Sequence, residues 1–450
     1  MKKQAVSQFD KMTKTPIPTL VSKLAVPTVL SMLITSIYNL ADTAFVGMIG
    51  TSASAAVGVV FGFMSIIQAL GFMFGQGGGS IVSRLQGAKN EEEATKTAST
   101  TFFVCIGTGL VIAVLGLLFR GPLVVALGST PTIEPYAKTY ITYILLACPF
   151  TMTSFVLNNI LRYEGKATLG MIGMMTGGIL NIALDPLFIF VFDMGIAGAG
   201  AATGLSQCIG FLIQLYMFLS GRTVSRLSIR KVVLSLSYIG NICATGLPSL
   251  LRQGLTSLAT VLLNTQAAVY GDEAVAALSI VNRIVFLVFS VGIGVGQGFQ
   301  PVSAFNYGAK LYSRVRSAFW FTYGLTQAII AAAAVGMLFT SGGLIAFFRD
   351  DPLVIEIGIR ALHLQAIALF FTPISTITEM LYQSTGHKLG ASILSSLRSG
   401  GFFIPAVLIL PRIRGLAGLQ EAQPLAFILA AVPGVIMAIW FFRHMPEDGR

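Results

Sequence analysis

The sequence is poor in charge. Asp, Glu, Lys and Arg make up 10% of its 450 residues, against about a quarter in ordinary soluble domains. Hydrophobic residues make up 54%, and the mean hydropathy is +0.80. A soluble protein of this size cannot bury that much apolar surface, and apolar runs of about twenty residues, long enough to cross a bilayer as helices, recur along the chain. The composition excludes a soluble enzyme and predicts an all-α polytopic membrane protein.

Cysteines and catalytic motifs are scarce as well. The four cysteines all lie in apolar runs, at spacings that fit neither a zinc site nor a disulfide framework. The sequence has no Walker motif, no nucleophile elbow and no metal-ligand spacing. These absences argue against an ATP-driven pump and against an enzyme, and we expect no cofactor. Residues 1–19 are polar, carry four lysines and do not have the pattern of a cleaved signal peptide, which predicts a cytoplasmic N-terminal tail.

The lysines and arginines are distributed unevenly around the predicted spans. We place twelve spans at about 20–47, 57–83, 97–119, 136–160, 168–192, 195–220, 240–270, 276–305, 317–345, 357–384, 389–410 and 422–442. With the N-terminus taken as cytoplasmic, nineteen basic residues fall on the cytoplasmic side and four on the other, an asymmetry that sets orientation in membranes. Both termini are therefore predicted to be cytoplasmic. The net charge of +11 therefore reflects the basic cytoplasmic loops, and we expect no nucleic-acid partner.

The two halves of the chain repeat each other. A shift of 221 residues pairs Pro27 with Pro248, and the triplet GQG at Gly75 with GQG at Gly296, without a gap over about sixty residues. Six spans per half is an even number, so both halves enter the membrane from the same side. We predict two six-helix bundles related by a pseudo-two-fold axis along the membrane normal. The predicted domains are the tail 1–19, an N-terminal bundle 20–220, a cytoplasmic linker 221–239 and a C-terminal bundle 240–450.

A duplicated architecture of this kind is typical of transporters. In such proteins the substrate binds near the membrane midplane, between two bundles that rock against each other. Nothing in the sequence resembles the filter loop of a channel. A membrane sensor or scaffold would be expected to carry a large soluble output domain, and the chain has none.

A few polar side chains nonetheless lie within the predicted spans. An aspartate at the centre of a membrane helix costs about 2.5–3.5 kcal/mol on insertion scales, so each one needs a function or a partner. Asp42 in span 1, Asp185 in span 5 and Thr203 in span 6 all lie roughly 8–12 Å from the outer ends of their spans. Asn181 lies one helical turn before Asp185, on the same face. We predict that two carboxylates, an amide and a hydroxyl converge on one small site.

This predicted site has two functional interpretations and one structural alternative. Oxygen ligands of this type suit a sodium ion, and a desolvated carboxylate suits a proton. Alternatively, Asp185 only hydrogen-bonds neighbouring helices around a kink at Pro186. The repeat favours a functional role, because Asp42 aligns with Leu263 and the region equivalent to Asp185 reads FFIPAVLIL. Maintenance of the fold gives no reason to confine the acids to one half.

The second half carries a different set of charged residues. Arg252 and Gln253 lie early in span 7, Arg283 in span 8, Glu379 in span 10 and Arg398 in span 11. They could pair across the second bundle or point into a cavity. We expect structural pairing.

Several stretches together resemble the multidrug and toxic compound extrusion (MATE) family, and within it the MepA-like bacterial branch. They are YNLADTAFVG in span 1, GQGGGSIVSRLQGAKN at span 2, LRYEGKA after span 4, NIALDPLFIF in span 5 and GAGAAT in span 6. The resemblance covers the chain from about Thr19 to Arg443. It implies antiport of small organic cations and drugs, such as dyes, antibiotics and disinfectants, against H+ or Na+ by alternating access. It also implies a monomer in the bacterial cytoplasmic (inner) membrane.

The resemblance also implies roles for individual residues. The family's cation-coupling positions in the N-terminal bundle match Asp42, Asn181, Asp185 and Thr203, so Na+ could be bound there. Candidate substrate or gating residues are Tyr38, Asn39, Gln76, Glu164, Arg252, Gln253 and Glu379.

One departure from the family places the coupling site in the first half. NorM-type members carry an acid in span 7 and another in span 10. At the aligned positions this chain has Thr256 in span 7 and the residues around Ile374 in span 10. We therefore expect coupling in the N-terminal bundle. The alternative function is a flippase for a lipid-linked oligosaccharide, since Arg252, Arg283 and Arg398 would suit an anionic pyrophosphate.

Overall fold

The computed structural model describes residues 7–449. Lys2 and Lys3 of the predicted tail and Arg450 lie outside the described residues. The described chain is helical and contains no strand, which confirms the all-α prediction. Its α-helices are α1 Gln8–Lys14, α2 Ile17–Ile49, α3 Thr51–Gly87, α4 Glu91–Leu118, α5 Arg120–Ala126, α6 Glu134–Tyr163, α7 Ala167–Pro186, α8 Gly195–Leu219, α9 Leu236–Ala267, α10 Asp272–Gly308, α11 Tyr312–Phe348, α12 Pro352–Leu369, α13 Thr372–Thr385, α14 Lys388–Ser396, α15 Phe403–Arg414 and α16 Leu416–His444. Two π-helical segments, Leu187–Val191 and Leu397–Phe402, follow α7 and α14.

Eleven segments of the described chain are long and apolar enough to cross a membrane. Nine are single helices, namely α2, α3, α4, α6, α8, α10, α11, α12 and α16, and two are the composite segments Ala167–Val191 and Lys388–Arg414. The remaining predicted span corresponds to α9. At 32 residues and 1.5 Å per residue, α9 also exceeds the ~30 Å hydrocarbon layer. It is less apolar because Arg252 and Gln253 lie within it.

Three predicted spans are broken or contain a π-helical segment. The span predicted at 357–384 is broken between α12 and α13, where Pro373 lies in the first turn of α13. Proline has no N–H to donate and disfavours helical geometry in the residue before it, so the chain starts a new helix there. The spans predicted at 168–192 and 389–410 each contain one of the π-helical segments. Such segments are frequent at functional sites.

The chain divides into two compact units. The N-terminal unit is Leu30–Leu250, and the C-terminal unit holds the described residues up to Val29 together with those from Leu251 onward. Both α2 and α9 are therefore shared between the units, and each is divided two residues after its proline, Pro27 or Pro248. The domain boundaries predicted from the repeat stay a prediction.

In the N-terminal unit the central helix is α6. It packs against α3, α4, α7 and α8, and 78% of its membrane-spanning window is buried. Small residues let other helices approach closely. A Cβ added to Gly246 of α9 would lie 1.8 Å from the Met73 carbonyl oxygen of α3, so only glycine fits at that crossing.

In the C-terminal unit α10 packs against α11, α12 and α13, and α16 packs against α12, α13 and α15. The short helix α1 belongs to this unit. Arg314 Nη2 donates a hydrogen bond to the Thr15 carbonyl at 2.7 Å, and Asn306 Nδ2 donates one to the Met12 carbonyl at 3.2 Å. These bonds satisfy carbonyl groups that the end of a helix leaves without an intrahelical partner.

Candidate ion site and pocket in the N-terminal unit

The four predicted coupling residues lie on three helices of the N-terminal unit. Asp42 is on α2, Asn181 and Asp185 are on α7, and Thr203 is on α8. Asp185 stands directly before Pro186, the last residue of α7, after which the backbone widens into the π-helical segment. Because proline cannot donate a backbone hydrogen bond and crowds the preceding turn, it favours this local change of geometry.

Asn181 joins α7 to α8. Its Nδ2 donates hydrogen bonds to Asp185 Oδ1 at 3.2 Å and to Thr203 Oγ1 at 3.3 Å. All three side chains are buried, and Asp185 has no solvent-exposed surface. The structure thus brings together the amide, the hydroxyl and one of the two carboxylates.

Tyr140 of α6 links Asp42 to this group. Its hydroxyl donates to Met64 Sδ at 3.9 Å and lies near enough to Asp42 and Thr203 to affect both, and the Asp42 and Asp185 carboxylates are close enough to influence each other electrostatically. Asp42 is 8% exposed and Tyr140 is fully buried. Tyr140 was not predicted from the sequence. Its depth could have indicated it, since Tyr140 lies four residues after the start of predicted span 4, near the outer end of the bundle, as do Asp42, Asp185 and Thr203.

Three oxygen atoms of this site have no hydrogen-bond partner. They are Asp42 Oδ1, Asn181 Oδ1 and Asp185 Oδ2, all of them buried. An unsatisfied buried acceptor costs about 1–3 kcal/mol, and a buried carboxylate costs more. Protons on the carboxylates, or a cation among the three oxygens, would satisfy these atoms. Within residues 7–449 no group of three or more His, Cys, Asp or Glu side chains is arranged for a metal ion, so a cation here would have mixed oxygen donors.

Asp42, Asn181, Asp185 and Thr203 are called the ion site below, as the candidate position for a proton or a cation. A pocket lies one helical turn from it. It is lined by Thr35, Tyr38, Phe155, Gly177 and Gln207, among others. Tyr38 precedes Asp42 by four residues, Gly177 precedes Asn181 by four, and Gln207 follows Thr203 by four. Residues four apart are neighbours on a helix, so the pocket and the ion site share α2, α7 and α8.

Glycines of α7 let neighbouring helices pack closely beside this pocket. A Cβ on Gly178 would lie 2.9 Å from Ile34 and 3.1 Å from Tyr38, and one on Gly173 would collide with the Gln214 side chain. The Tyr38 hydroxyl interacts with Gln207 across the pocket. The lining therefore combines an aromatic face with neutral polar groups.

The other predicted residues of the first half lie outside this site. Asn39 is half-buried on α2 and does not line the pocket. Gln76 of α3 is fully buried and accepts a hydrogen bond from the Tyr163 hydroxyl at 3.0 Å. This contact joins α3 to α6.

Glu164 holds the linker between the two repeats. It is fully buried and accepts hydrogen bonds from Gln86 Nε2 at 3.2 Å, from the Val224 backbone N–H at 2.9 Å and from the Ser225 backbone N–H at 2.8 Å. Lys166 donates to the Arg222 carbonyl oxygen. Burial lowers the pKa of Lys166, and the nearby Glu164 carboxylate opposes that shift.

In the C-terminal unit the predicted pairing of charges is present for Arg252 and Glu379. Arg252 Nη1 lies 2.6 Å from Glu379 Oε1, and both side chains are buried. Ser395 Oγ donates to the same carboxylate oxygen at 2.7 Å. Gln253 is half-buried. The expected pairing is not found for Arg283, which is exposed, or for Arg398, which is buried and donates to Thr376 Oγ1 at 3.1 Å, because neither belongs to an ion pair among the described residues.

Comparisons with known proteins agree on one family. The MatE family model matches residues 27–187 and 248–406, one match in each half of the chain. The multidrug export protein MepA of Staphylococcus aureus strain NCTC 8325 / PS 47 is 26% identical over 450 residues, covering 100% of this chain and 98% of that protein. MepA of Staphylococcus saprophyticus is 26% identical, covering 94% of each chain.

A solved structure shares the whole fold. It is described as the outward-facing conformation of a multidrug resistance MATE family transporter of the MOP superfamily, and it matches with a TM-score of 0.92 and 25% identity. The match covers 99% of this chain and 100% of that chain. The predicted twelve-span architecture in two six-helix bundles is confirmed by this similarity.

Proposed function

The chain belongs to the MatE family of membrane transporters, and from this premise we propose that it exports small organic cations and drugs from a bacterial cell in exchange for H+ or Na+. It does so by alternating access, as a monomer in the inner membrane with both termini cytoplasmic. The observation that carries the proposal is the group of three unpartnered buried oxygens on Asp42, Asn181 and Asp185, one helical turn from a pocket. The export activity named for the two MepA relatives supports it.

The ion and the drug act on the same three helices. Protonation of both Asp42 and Asp185 removes the negative charge of the site, and binding of one Na+ among the three oxygens lowers it from two units to one. In either case the pocket one turn away attracts a cationic ligand less strongly. A ligand shifts a conformational equilibrium only by its differential affinity for the two states. Ion and drug therefore favour different conformations of α2, α7 and α8.

The side chains that line the pocket suit contact with aromatic cations. Tyr38 and Phe155 supply aromatic surface, and Thr35 and Gln207 supply neutral polar contacts. A cation near an aromatic face gains about 0.5–2 kcal/mol, depending on how far it is removed from water.

Ethidium accumulation in efflux-deficient bacteria tests the proposal. Wild type is expected to lower accumulation, and Asp42→Asn and Asp185→Asn are expected to restore it to the empty-vector level at matched membrane amounts. Asp193→Asn is the matched control, because Asp193 is exposed and lies outside the ion site. Export by all three variants would contradict the coupling site. Failure of wild type to export ethidium would contradict multidrug export and favour the lipid flippase.

A sodium gradient and a pH gradient distinguish the two coupling ions. In proteoliposomes of purified protein, an outward-directed dye flux driven by only one of the two gradients identifies the ion. The same flux measured with Asp185→Asn shows whether the gradient acts through this site.

A further inference from the structure

Both tryptophans of the sequence lie at one end of the C-terminal unit. Trp320 is the ninth residue of α11, and Trp440 lies four residues before the end of α16. Their side chains are 52% and 51% exposed. Trp320 comes three residues after the start of the ninth predicted span, and Trp440 two residues before the end of the twelfth. Tryptophan is enriched at this depth in membrane proteins, where its ring contacts lipid at the level of the headgroups.

Two arginines lie at the same membrane surface. Arg316 precedes Trp320 by one helical turn, Arg443 lies in the last turn of α16, and both are exposed. Arg316 Nη2 donates a hydrogen bond to the Phe442 carbonyl at 3.0 Å, and its guanidinium carbon lies 5.7 Å from the centroid of the Phe442 ring. The ion pairs among the described residues include neither arginine. Both charges therefore have no acidic partner within this part of the chain.

Phe442 connects α11 to the end of α16. Its ring stacks on that of Trp320, with the centroids 6.3 Å apart. The two tryptophans and the two arginines therefore belong to one region, where α11 begins and α16 ends. We call this region the α11–α16 surface, formed by Arg316, Trp320, Trp440, Phe442 and Arg443.

The equivalent part of the N-terminal unit is covered by protein. The 221-residue shift pairs Trp320 with Ser99, and each is the ninth residue of its helix, α11 or α4. Ser99 has no exposed surface, because the linker after α8 passes over it. Its Oγ donates to the Arg226 carbonyl at 3.2 Å and accepts from the Ser228 backbone N–H at 3.1 Å.

The segment after α16 takes a different path. Asp448 accepts hydrogen bonds from the Ser313 backbone N–H at 2.7 Å and from the Ser313 hydroxyl. The Gly449 backbone N–H donates to the Lys310 carbonyl at 3.1 Å. These contacts hold the segment at the turn between α10 and α11 and leave Trp320 half exposed. The C-terminal unit thus has an uncovered surface where the N-terminal unit is covered by its own chain.

The two equivalent helices also begin with different charge. Residues 91–93 at the start of α4 are three glutamates, whereas residues 312–314 at the start of α11 read YSR. One turn further along, Arg316 aligns with Thr95. The uncovered surface is therefore the more basic of the two, and it suits an anionic partner.

We propose that the α11–α16 surface binds the headgroups of anionic phospholipids. Guanidinium groups pair with phosphate oxygens, so Arg316 and Arg443 bind the phosphate. Trp320 and Trp440 contact the glycerol region and the first carbons of the acyl chains. Basic side chains just outside a span are attracted to anionic lipids, which are abundant in the cytoplasmic leaflet where this surface is predicted to lie. The lipid takes the place that the linker has in the other unit.

Intrinsic fluorescence tests this site, because Trp320 and Trp440 are the only tryptophans in the sequence. Purified full-length protein is reconstituted in equal amounts of phosphatidylglycerol and phosphatidylcholine. Bromine is placed near the glycerol end of the acyl chains of one lipid or of the other, so that surface charge stays constant. Bromine quenches tryptophan only at close range. In wild type, brominated phosphatidylglycerol is expected to quench at least about twofold more than brominated phosphatidylcholine.

Matched variants separate the two arginines from the rest of the chain. The double variant Arg316→Gln, Arg443→Gln is expected to lower the ratio of the two quenching values to about one, since the attraction to anionic lipid is lost. Arg316→Lys keeps the charge and is expected to retain most of the preference. Arg349→Gln is the control, because Arg349 is an exposed arginine at the opposite end of α11, and it is expected to leave the ratio unchanged.

The outcomes decide between a specific lipid site and a general membrane surface. Equal quenching by the two lipids in wild type would overturn the site, and so would a preference that persists in the double variant. If the double variant is not monodisperse, Arg443→Gln alone provides the comparison, with a ratio below that of wild type expected. The measurement uses neither a drug nor an ion gradient, so the lipid site and the proposed export are tested independently.

Discussion

At the scale of single residues, Asn181 is the connection between α7 and α8 in the ion site. Its amide donates to one oxygen of Asp185 and to Thr203, while its own oxygen has no partner. The Asn181 amide thus stabilises negative charge on Asp185 and leaves two oxygens of α7 available for a proton or a cation. The Thr203 hydroxyl accepts from this amide and is also a neighbour of Tyr140.

Substitution of Thr203 tests this connection. Thr203→Val removes the acceptor, leaves one amide hydrogen of Asn181 without a partner and is expected to reduce the initial rate of dye efflux by about tenfold, the equivalent of ~1.4 kcal/mol. Thr203→Ser keeps the hydroxyl and is expected to retain most of the wild-type rate. Efflux is measured in preloaded cells at equal protein levels. Equal rates for the two variants would show that the hydroxyl has no role.

Much of the ion site follows from the sequence because helix geometry is regular. Once the spans are placed, counting residues gives the depth of Asp42, Asp185 and Thr203, and the four-residue spacing puts Asn181 beside Asp185. The role of Tyr140 does not follow in the same way. A tyrosine in an apolar span has a plausible apolar environment, and only its contacts show that its hydroxyl faces two polar helices.

At the scale of elements, close helix packing depends on particular glycines. Gly246→Ala would place a methyl group 1.8 Å from the Met73 carbonyl oxygen. Because that oxygen belongs to the backbone of α3, the helices must separate, and we expect a loss of about 1–3 kcal/mol in the free energy of unfolding. Gly240→Ala is the control on the same helix, since no atom lies within 4 Å of the added carbon. Thermal unfolding in detergent should show a lower Tm for Gly246→Ala alone.

The linker between the repeats is a second element with a defined structure. Besides the contacts of Glu164, Ser99 Oγ donates to the Arg226 carbonyl at 3.2 Å and accepts from the Ser228 backbone N–H at 3.1 Å. Thr100 Oγ1 accepts from the Val233 backbone N–H at 2.9 Å. These bonds fix the segment against α4 and α6, within the N-terminal unit.

Limited proteolysis tests how far Glu164 orders this linker. Glu164→Ala removes the acceptor of three hydrogen bonds, and trypsin is expected to cut after Arg226 several times faster than in wild type, because cleavage requires local unfolding. Glu164→Gln keeps one acceptor oxygen, and its cleavage rate is expected to lie between those of wild type and Glu164→Ala. The cleavage rate is followed by gel electrophoresis of membranes at neutral pH. Unchanged cleavage of Glu164→Ala would show that the serine and threonine contacts hold the linker alone.

The boundaries of the elements were the least predictable feature. The helices α3, α10 and α11 extend well beyond their predicted spans because their polar ends remain good helix formers after the apolar run ends. The break before Pro373 was hidden in a continuous apolar run. Apolar composition determines where a chain crosses a membrane, whereas a single proline determines where the helix stops.

At the scale of the whole molecule, orientation stays a prediction from the distribution of lysines and arginines. A single cysteine introduced at Arg226, in a variant whose four native cysteines are replaced by serine, is expected to be protected from a membrane-impermeant maleimide in intact cells. A cysteine at Asp193 is expected to react. Both positions are exposed, so the comparison reports the side of the membrane. The opposite labelling pattern would show that the chain is oriented the other way in the membrane.

The division of the chain is a further property at this scale. Each of the two shared helices, α2 and α9, changes units two residues after a proline, and Pro27 and Pro248 are equivalent in the repeat. A proline inside a helix removes one backbone hydrogen bond and permits a kink. The sequence alone shows that both halves carry a proline at this equivalent position. Only the packing shows to which unit the helix belongs before and after the division.

The presence of two carboxylates in the ion site affects the electrical balance of transport. If one proton enters for each monovalent drug that leaves, no net charge crosses the membrane, and only the pH difference drives export. If Asp42 and Asp185 each deliver a proton, one positive charge enters per cycle and the membrane potential adds ~2.3 kcal/mol per 100 mV. Under the proposed exchange with H+, the voltage dependence of efflux therefore gives the number of protons that this pair carries.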